Sequence, residues 1–546
     1  MPVVRFPVRE LERLLGKKVP RDVLAKDIPM LGADVDDVSG ETWAIEFFPD
    51  RPDLFTVEGL ARALRAWYGV APGLCSYDVA APRHELRVDR AAVEKVRPHI
   101  AGAYVRGVEV TAERLESLIA LQEDLHWGLG ARRRKVAIGV HDAAALVPPF
   151  TYTAVGLDAI RFVPLAAEPP RPMTPREILA KHPKGTDYAH LVGDKAALIT
   201  DAKEQVLSFP PIINGRLTTV TTASRDLFVD VTGWDAVAVR KALNLIVTSL
   251  AEAGGRIEAI RVLPEGGVSP DLAPERRSLD VAAVNAFLGT SFDAAAVVER
   301  LRRAGHGARP AGARVEVEVP AYRVDILHDV DVMEDVAVGH GFNAFEPALP
   351  RAVTYGRQLP GAVVAERARR ALTGLGFLET MALSLSNDVD QFERMGLAVG
   401  DAVRVKNPVS EEHDLLRPAI LPSLLAILRK NAHRDYPQRL FEIAVATLPR
   451  GGEEPVTERR VAGVVAHARS SFTEVKGIAL ALARDLGWPA NVAPAEHASY
   501  IRGRVASLGP PSGSGGSGVF GELAPGVVDA FGIPVPVAGF EFALGR

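Results

Sequence analysis

Tyr322 to Gly341 reads Y-R-V-D-I-L-H-D-V-D-V-M-E-D-V-A-V-G-H-G, and the rest of the chain is best read outward from it. Asp325 falls at the end of an apparent strand, and Asp331, Glu334 and Asp335 follow on a helix. These three stand at i, i+3 and i+4, a spacing that brings side chains onto one helical face. Carboxylates so placed repel one another, which water tolerates but a packed interior does not unless a cation lies among them. Hard oxygen donors with no cysteine nearby suit Mg2+ better than zinc. An acidic first turn complementing the helix dipole accounts for the same spacing, and on spacing alone both readings stand.

Around this stretch, residues 271–348 read as a helix–helix–strand–helix module. Asp280 is placed to cap Val281 to Leu288, closed by Gly289, and Asp293 to cap Ala294 to Arg303, closed by Gly305. Val315, Val317 and Val319 alternate with Glu316 and Glu318, the pattern of a half-exposed strand. The order suggests a winged-helix-like arrangement, which binds nucleic acid in some proteins and only packs in others.

Upstream, residues 1–72 read as a small α+β domain. It has a helix from Val8 to Leu15, a strand near Trp43 to Phe48, and a helix from Val57 to Tyr68 capped by Thr56. Between them the turn Asp50-Arg51-Pro52-Asp53 reads as a rigid corner held by an Arg–Asp pair. Residues 73–270 mix strands and helices. Leu115 to Leu129 and Val237 to Glu252 read as helices, Lys135 to His141 and Leu227 to Val231 as strands, with proline-rich corners at 148–150 and 208–215. Downstream, 358–546 is an α/β block with helices at 362–374, 421–431 and 473–486, a core strand at 439–446, and a Gly/Ser tip at 510–518.

At 546 residues the chain exceeds a single core and implies several domains. With 47% hydrophobic and 24% charged residues the composition is that of a soluble globular protein. No run of 18 apolar residues occurs, so neither a membrane span nor a signal peptide is expected. Cys75 is the only cysteine, which excludes an internal disulfide and a zinc ribbon and points to a reducing, cytoplasmic setting. A net charge of −4 leaves any phosphate contact to a local patch, of which Arg132-Arg133-Arg134-Lys135 is the densest. A solvated helix end explains that run equally well.

Six ordered motifs carry a resemblance over essentially the whole chain: F-x-P-D-R-P-D-L-x-x-V-E-G-L-A-R-A-L from Phe47, K-V-A-I-G-V-H-D from Lys135, P-P-F-T-Y from Pro148, S-F-P-P-I-I-N-G from Ser208, F-V-D-V-T-G-W-D from Phe228, and the acidic segment. Together they resemble the beta subunit of phenylalanyl-tRNA synthetases of the archaeal and eukaryotic type. The resemblance implies a mixed α+β and α/β multidomain fold: an N-terminal domain (1–72), a B3/B4 editing domain (73–270), a winged-helix-like B5 module (271–348), and a class II synthetase-like antiparallel-sheet module without catalytic residues (358–546). It implies Mg2+ at Asp325, Asp331, Glu334 and Asp335 near the contact with an alpha subunit. It also implies an alpha2beta2 heterotetramer that charges tRNA(Phe) with phenylalanine, with ATP as substrate and the aminoacylation chemistry in alpha.

The residues agree with a silent last module. Adenylate chemistry needs an arginine on a central strand and a second in a terminal Gly-rich element. Here Arg439-Leu440-Phe441-Glu442 puts arginine and glutamate on opposite strand faces, and the C-terminus lacks a Gly-Leu-Gly-Leu-Glu-Arg pattern. The resemblance further implies hydrolysis of tyrosine wrongly attached to tRNA(Phe). A second pocket can test for the phenol that the first admits. Asn214, Thr218, Asp230 and Thr232 are the polar candidates for that pocket, Gly233 would allow close backbone approach, and His141 is either a water-positioning group or a satisfied core histidine. No Ser–His–Asp or Cys–His pairing is visible, so hydrolysis would rest on an oriented water. The competing function is a free-standing deacylase acting without a partner, for which a module of 358–546 has no use.

Overall fold

The structure, a computed structural model, describes residues 2–264, 267–349, 355–509 and 516–545. It divides into two units, 1–348 and 349–546. Most of the Gly/Ser tip expected at 510–518, namely 510–515, lies outside the described residues.

In the first unit, the helix Val8–Leu15 forms as its apolar spacing dictates, burying Val8, Leu11 and Leu15 and ending at Gly16 in the left-handed region (φ 67°). The strands Val3–Pro7, Ala33–Asp37 and Thr42–Phe47 make a three-stranded sheet. Thr56 accepts from Gly59 N at 3.1 Å to start the helix Val57–Trp67. The N-terminal segment shares one core with the segment 73–270: Leu60 and Trp67 cluster with Val105, Leu121, Val229, Val239 and Ile246. The Arg51–Asp53 pair expected at the corner forms with two contacts, 2.8 and 2.9 Å.

Residues 73–270 are built on a ten-stranded sheet. Near one end, Leu227–Gly233 runs antiparallel between His99–Arg106 and the terminal strand Val136–Asp142. At the other end lies the short strand Ile213–Asn214. The two ends approach each other, because Asn214 Nδ2 donates to the carbonyl of Val140 at 3.4 Å. Tyr104, Phe150, Tyr152, Leu207 and Phe228 fill the space enclosed. Outside, the helices Ala112–Trp127 and Ala236–Glu252 cover the sheet, the second started by Asp235 accepting from Val237 N and Ala238 N.

The segment after 271 contains the expected helices Val281–Leu288 and Ala294–Arg303 with their aspartate caps, then Asp329–His340. Its sheet has three strands, in the order Glu275–Asp280, Arg314–Val319, Gly307–Ala311. Asp325 lies in a loop rather than at a strand end, since the strand stops at Val319.

The second unit is built on a seven-stranded sheet, antiparallel except where Leu378–Glu379 runs parallel to Gln438–Arg450. Along Glu453–Ala466, Val461 and Val465 face a core with the helices Pro360–Gly374 and Phe472–Leu486, while Ala462, Val464 and Ala466 face Leu421–Lys430. Period-two alternation thus buries both faces. Arg439 and Glu442 do diverge: Arg439 bonds Glu474 at 2.8 Å, whereas Glu442 holds the buried Arg417 at 2.6 and 3.0 Å.

Candidate functional site

A cavity of about 350 Å3 opens beside the strand Val136–Asp142. One wall is helical: Leu115, Leu118, Ile119 and Gln122 recur at i, i+3, i+4 and i+7 and face it. The opposite wall comes from the proline-rich corner, including Pro211 and Asn214, and from Thr218 and Asp230.

His141 stands directly behind this polar wall, with no exposed surface. Its Nδ1 is 2.7 Å from Thr218 Oγ1 and its Nε2 is 2.6 Å from Asp230 Oδ2. The Thr218 hydroxyl also reaches the Gly215 carbonyl at 3.2 Å, so the imidazole bridges a hydroxyl and a carboxylate within one buried chain of hydrogen bonds. Asp230 is 1% exposed, and Gly139 makes its position possible. Gly139 pairs with Asp230 across the sheet, and a Cβ there would sit 2.1 Å from Asp230 Oδ2 and 2.7 Å from His141 Nε2. The nearby cation is Arg97, whose own pKa burial pushes down to about 10 although Asp230 acts to raise it.

Two expected pocket residues lie elsewhere. Thr232 stands two residues along the strand from Asp230, on the same face, but outside the cavity lining. There its hydroxyl and carbonyl accept from Arg97 at 2.9 and 2.7 Å. Gly233 does permit a close approach, but to the chain itself: a Cβ there would lie 2.1 Å from the Lys135 carbonyl oxygen. His126 also lines the cavity. Burial lowers its pKa to about 4, and Nε2 accepts from Ile138 N at 2.8 Å, so the ring is neutral at pH 7.

Of the four acidic residues, Asp325 and Asp335 share Arg323, close to the Arg51–Asp53 corner. Arg323 holds Asp325 with two contacts, 2.8 and 2.6 Å, and lies 2.8 Å from Asp335 Oδ2, which His306 Nε2 also meets at 2.5 Å. Burial alone would raise the Asp335 pKa, but Arg323 and His306 hold the carboxyl well below the usual carboxylate range, with Arg51 adding to the effect. Asp331 Oδ2 accepts from the backbone of Leu327 and His328 at 2.7 and 2.6 Å, capping the helix. Glu334 is exposed, and its pKa is raised by partial burial and by Asp335, Asp50, Asp325 and Asp331.

Among the described residues, no three His, Cys, Asp or Glu side chains are gathered to hold a metal ion. Asp325 and Asp335, expected as ligands, are occupied by Arg323 and His306. Glu334 and the second oxygen of Asp331 remain open, which fits Mg2+ bound by one or two carboxylates and several waters, not a cage of four side chains.

Comparison with known proteins points to one family. The tRNA synthetase B5 domain matches residues 277–342, and the phenylalanyl tRNA synthetase beta chain CLM domain matches 346–544. A phenylalanine–tRNA ligase beta subunit from Methanothrix thermoacetophila is 42% identical, covering 100% of both chains. The chain belongs to the phenylalanine–tRNA ligase beta subunit family. The Archaeoglobus fulgidus member is 38% identical over 100% of this chain and 98% of its own. A solved N-terminal fragment of the beta subunit from Pyrococcus horikoshii covers 62% of this chain and 99% of the fragment, at 33% identity and a TM-score of 0.59. Matches running the full length of ligase subunits give no support to a free-standing deacylase. Among the described residues, no helix is long and apolar enough to cross a membrane.

Sequence reading missed three residues that build these sites: Gly139, which makes room for the carboxylate, and Arg323 and His306, which hold Asp325 and Asp335. Gly139 lies within the motif K-V-A-I-G-V-H-D, but only the cross-strand register reveals its task.

Proposed function

We propose that this chain works in the cytoplasm as the beta subunit of an alpha2beta2 phenylalanine–tRNA ligase, contacting tRNA(Phe) and scaffolding an alpha subunit that performs the ATP-dependent charging. Residues 358–546 serve as a class II-like module without chemistry of its own. Three arginines of this module support this reading: Arg417, Arg439 and Arg460 are each paired with a glutamate, Glu442, Glu474 and Glu541 respectively, so these three are not left open for a phosphate.

Residues 73–270 act as an editing domain that removes tyrosine from tRNA(Phe). The observation that carries this reading is the apolar cavity whose polar wall is Asn214, Thr218 and Asp230, with His141 bonded to the last two. An aromatic side chain suits the apolar helical wall, and a phenol differs from phenylalanine by one group that a buried carboxylate or hydroxyl can recognise. Water attacks the ester carbonyl, and the products are free tyrosine and a tRNA with its terminal hydroxyl restored. In that reaction Asp230 and Thr218 orient substrate and water, and His141 is a positioning residue that fixes both. Thr232 contributes through Arg97, and Gly233 through strand packing.

Within residues 271–348, the B5 module, Asp331 and Glu334 hold a hydrated Mg2+ that neutralises an acidic surface facing the partner subunit. Asp325 and Asp335 stand behind them, kept in place by Arg323. Phenylalanine-dependent ATP–pyrophosphate exchange tests the subunit reading. Silence for this chain alone and activity with co-elution after mixing with an alpha subunit is the expected result. Exchange by the chain alone overturns the silent-module assignment.

A further inference from the structure

The run Arg132-Arg133-Arg134-Lys135 does not extend the preceding helix. That helix ends at Trp127, and Ala131, Arg132 and Arg133 then take φ values of 48°, 55° and 64°. Three successive non-glycine residues in the left-handed region are costly for L-amino acids, and such conformations collect at functional sites. The turn sends Arg133 inward, where it is buried, bonds Glu123 Oε1 at 2.6 Å and the Ile212 carbonyl at 2.9 Å, and lines the cavity. Arg132, Arg134 and Lys135 are left in solvent.

Beside them stands an indole that the fold does not bury. Trp127 is 64% exposed, and the Arg132 guanidinium lies 4.5 Å from its ring centre. Ile119 and Glu123 line the cavity, and Trp127, outside that lining, follows Glu123 one turn further along the same helix. Lys184 is on the same lining, 3.5 Å from Glu123. A merely solvated basic turn needs neither the strained backbone nor the exposed tryptophan.

We propose that Trp127 and the basic turn form a rim that seats the single-stranded 3′ end of the RNA whose ester the cavity hydrolyses, an inference that rests on the editing reading. A base near the terminus stacks on Trp127 and Arg132, since every base offers a π-face to an aromatic platform. Backbone phosphates meet Arg134, Lys135 and Lys184. Arg133, held by the cavity wall, fixes the distance between the landing and the pocket.

Steady-state deacylation of Tyr-tRNA(Phe) by the alpha–beta complex tests this, with Trp127→Ala and with Arg132→Glu/Arg134→Glu. Each variant is expected to raise KM at least about fivefold, the loss of one stacked base or of its charge partners, while kcat and charging with phenylalanine hold. The slope of log KM against log salt should fall by about 0.7 for each phosphate contact removed. Unchanged KM and salt slope in both variants, with wild type active, overturns the rim and leaves the editing reading intact. If wild type itself does not deacylate, the editing reading fails. The rim is then decided by binding of a short single-stranded oligoribonucleotide, which must weaken in the same variants; equal binding overturns it.

Discussion

Arg323→Met probes the charge arrangement on which the acidic helix depends. Arg323 is almost wholly buried (3% exposed) between Asp325 and Asp335, with contacts of 2.6 to 2.8 Å. Methionine keeps much of the volume and removes the cation, leaving carboxylates in poorly solvated positions. Breaking a buried ion pair from one side costs about 3–5 kcal/mol. The surrounding unit spans residues 1–348, and at roughly 2.1 cal/mol/K of unfolding entropy per residue a single cooperative transition has about 0.7 kcal/mol/K. The expected fall in Tm is therefore about 4–7 °C near pH 7, read by calorimetry. The pH dependence has a definite sign. The Asp335 pKa is held below its unfolded value of about 4, so its stabilising effect is present above that value and disappears as pH falls through the folded pKa. In the variant the uncompensated carboxylates take up protons as pH falls, and the gap from wild type narrows towards pH 4. A variant as stable as wild type at pH 7, or a gap that stays constant down to pH 4, refutes the reasoning.

Gly139→Ala places a methyl 2.1 Å from Asp230 Oδ2, so deacylation of Tyr-tRNA should fall at least about tenfold and overpacking should cost about 1–3 kcal/mol in a denaturant titration. His126 titrates in the opposite sense from a paired histidine: with its pKa lowered to about 4, it stabilises the fold above its unfolded pKa near 6.5 and costs roughly 3 kcal/mol as pH falls towards 4. His126→Gln should flatten that part of the stability profile. Wild type is expected to show a Mg2+-dependent rise in Tm that a chelator reverses, and Glu334→Gln should abolish it; equal behaviour of the two proteins removes Glu334 as a ligand.

Helices with local punctuation were legible from sequence. Asp280 and Gly289 bracket one helix, Asp293 opens another, and Gly16 closes Val8–Leu15 at a positive φ, because caps act within a few residues. The strand Glu275–Asp280 carries no such signal: E-R-R-S-L-D has no apolar alternation and is held by backbone pairing to Arg314–Val319. Asp325 looked like a strand end because valine and isoleucine flank it, yet the ion pair with Arg323 shapes a loop there. Of the candidate site, the residue types were legible and their grouping was not. His141 meets Asp230 and Thr218 across 89 and 77 residues, a coincidence of sheet register and strand closure. Thr232 shares a strand face with Asp230, yet Arg97, 135 residues away in sequence, claims its hydroxyl. No local pattern announces such a partner.

The proposed editing function assigns Asp230, backed by His141, to a hydrolytic pocket separate from charging. The most direct test is single-turnover deacylation of preformed Tyr-tRNA(Phe) by the assembled ligase, comparing wild type with Asp230→Asn and following phenylalanine charging in parallel. The expected result is deacylation by wild type, its loss by at least about a hundredfold in the variant, and charging at the wild-type rate. Equal deacylation by both proteins, or charging and deacylation falling together, contradicts a separate pocket built on Asp230.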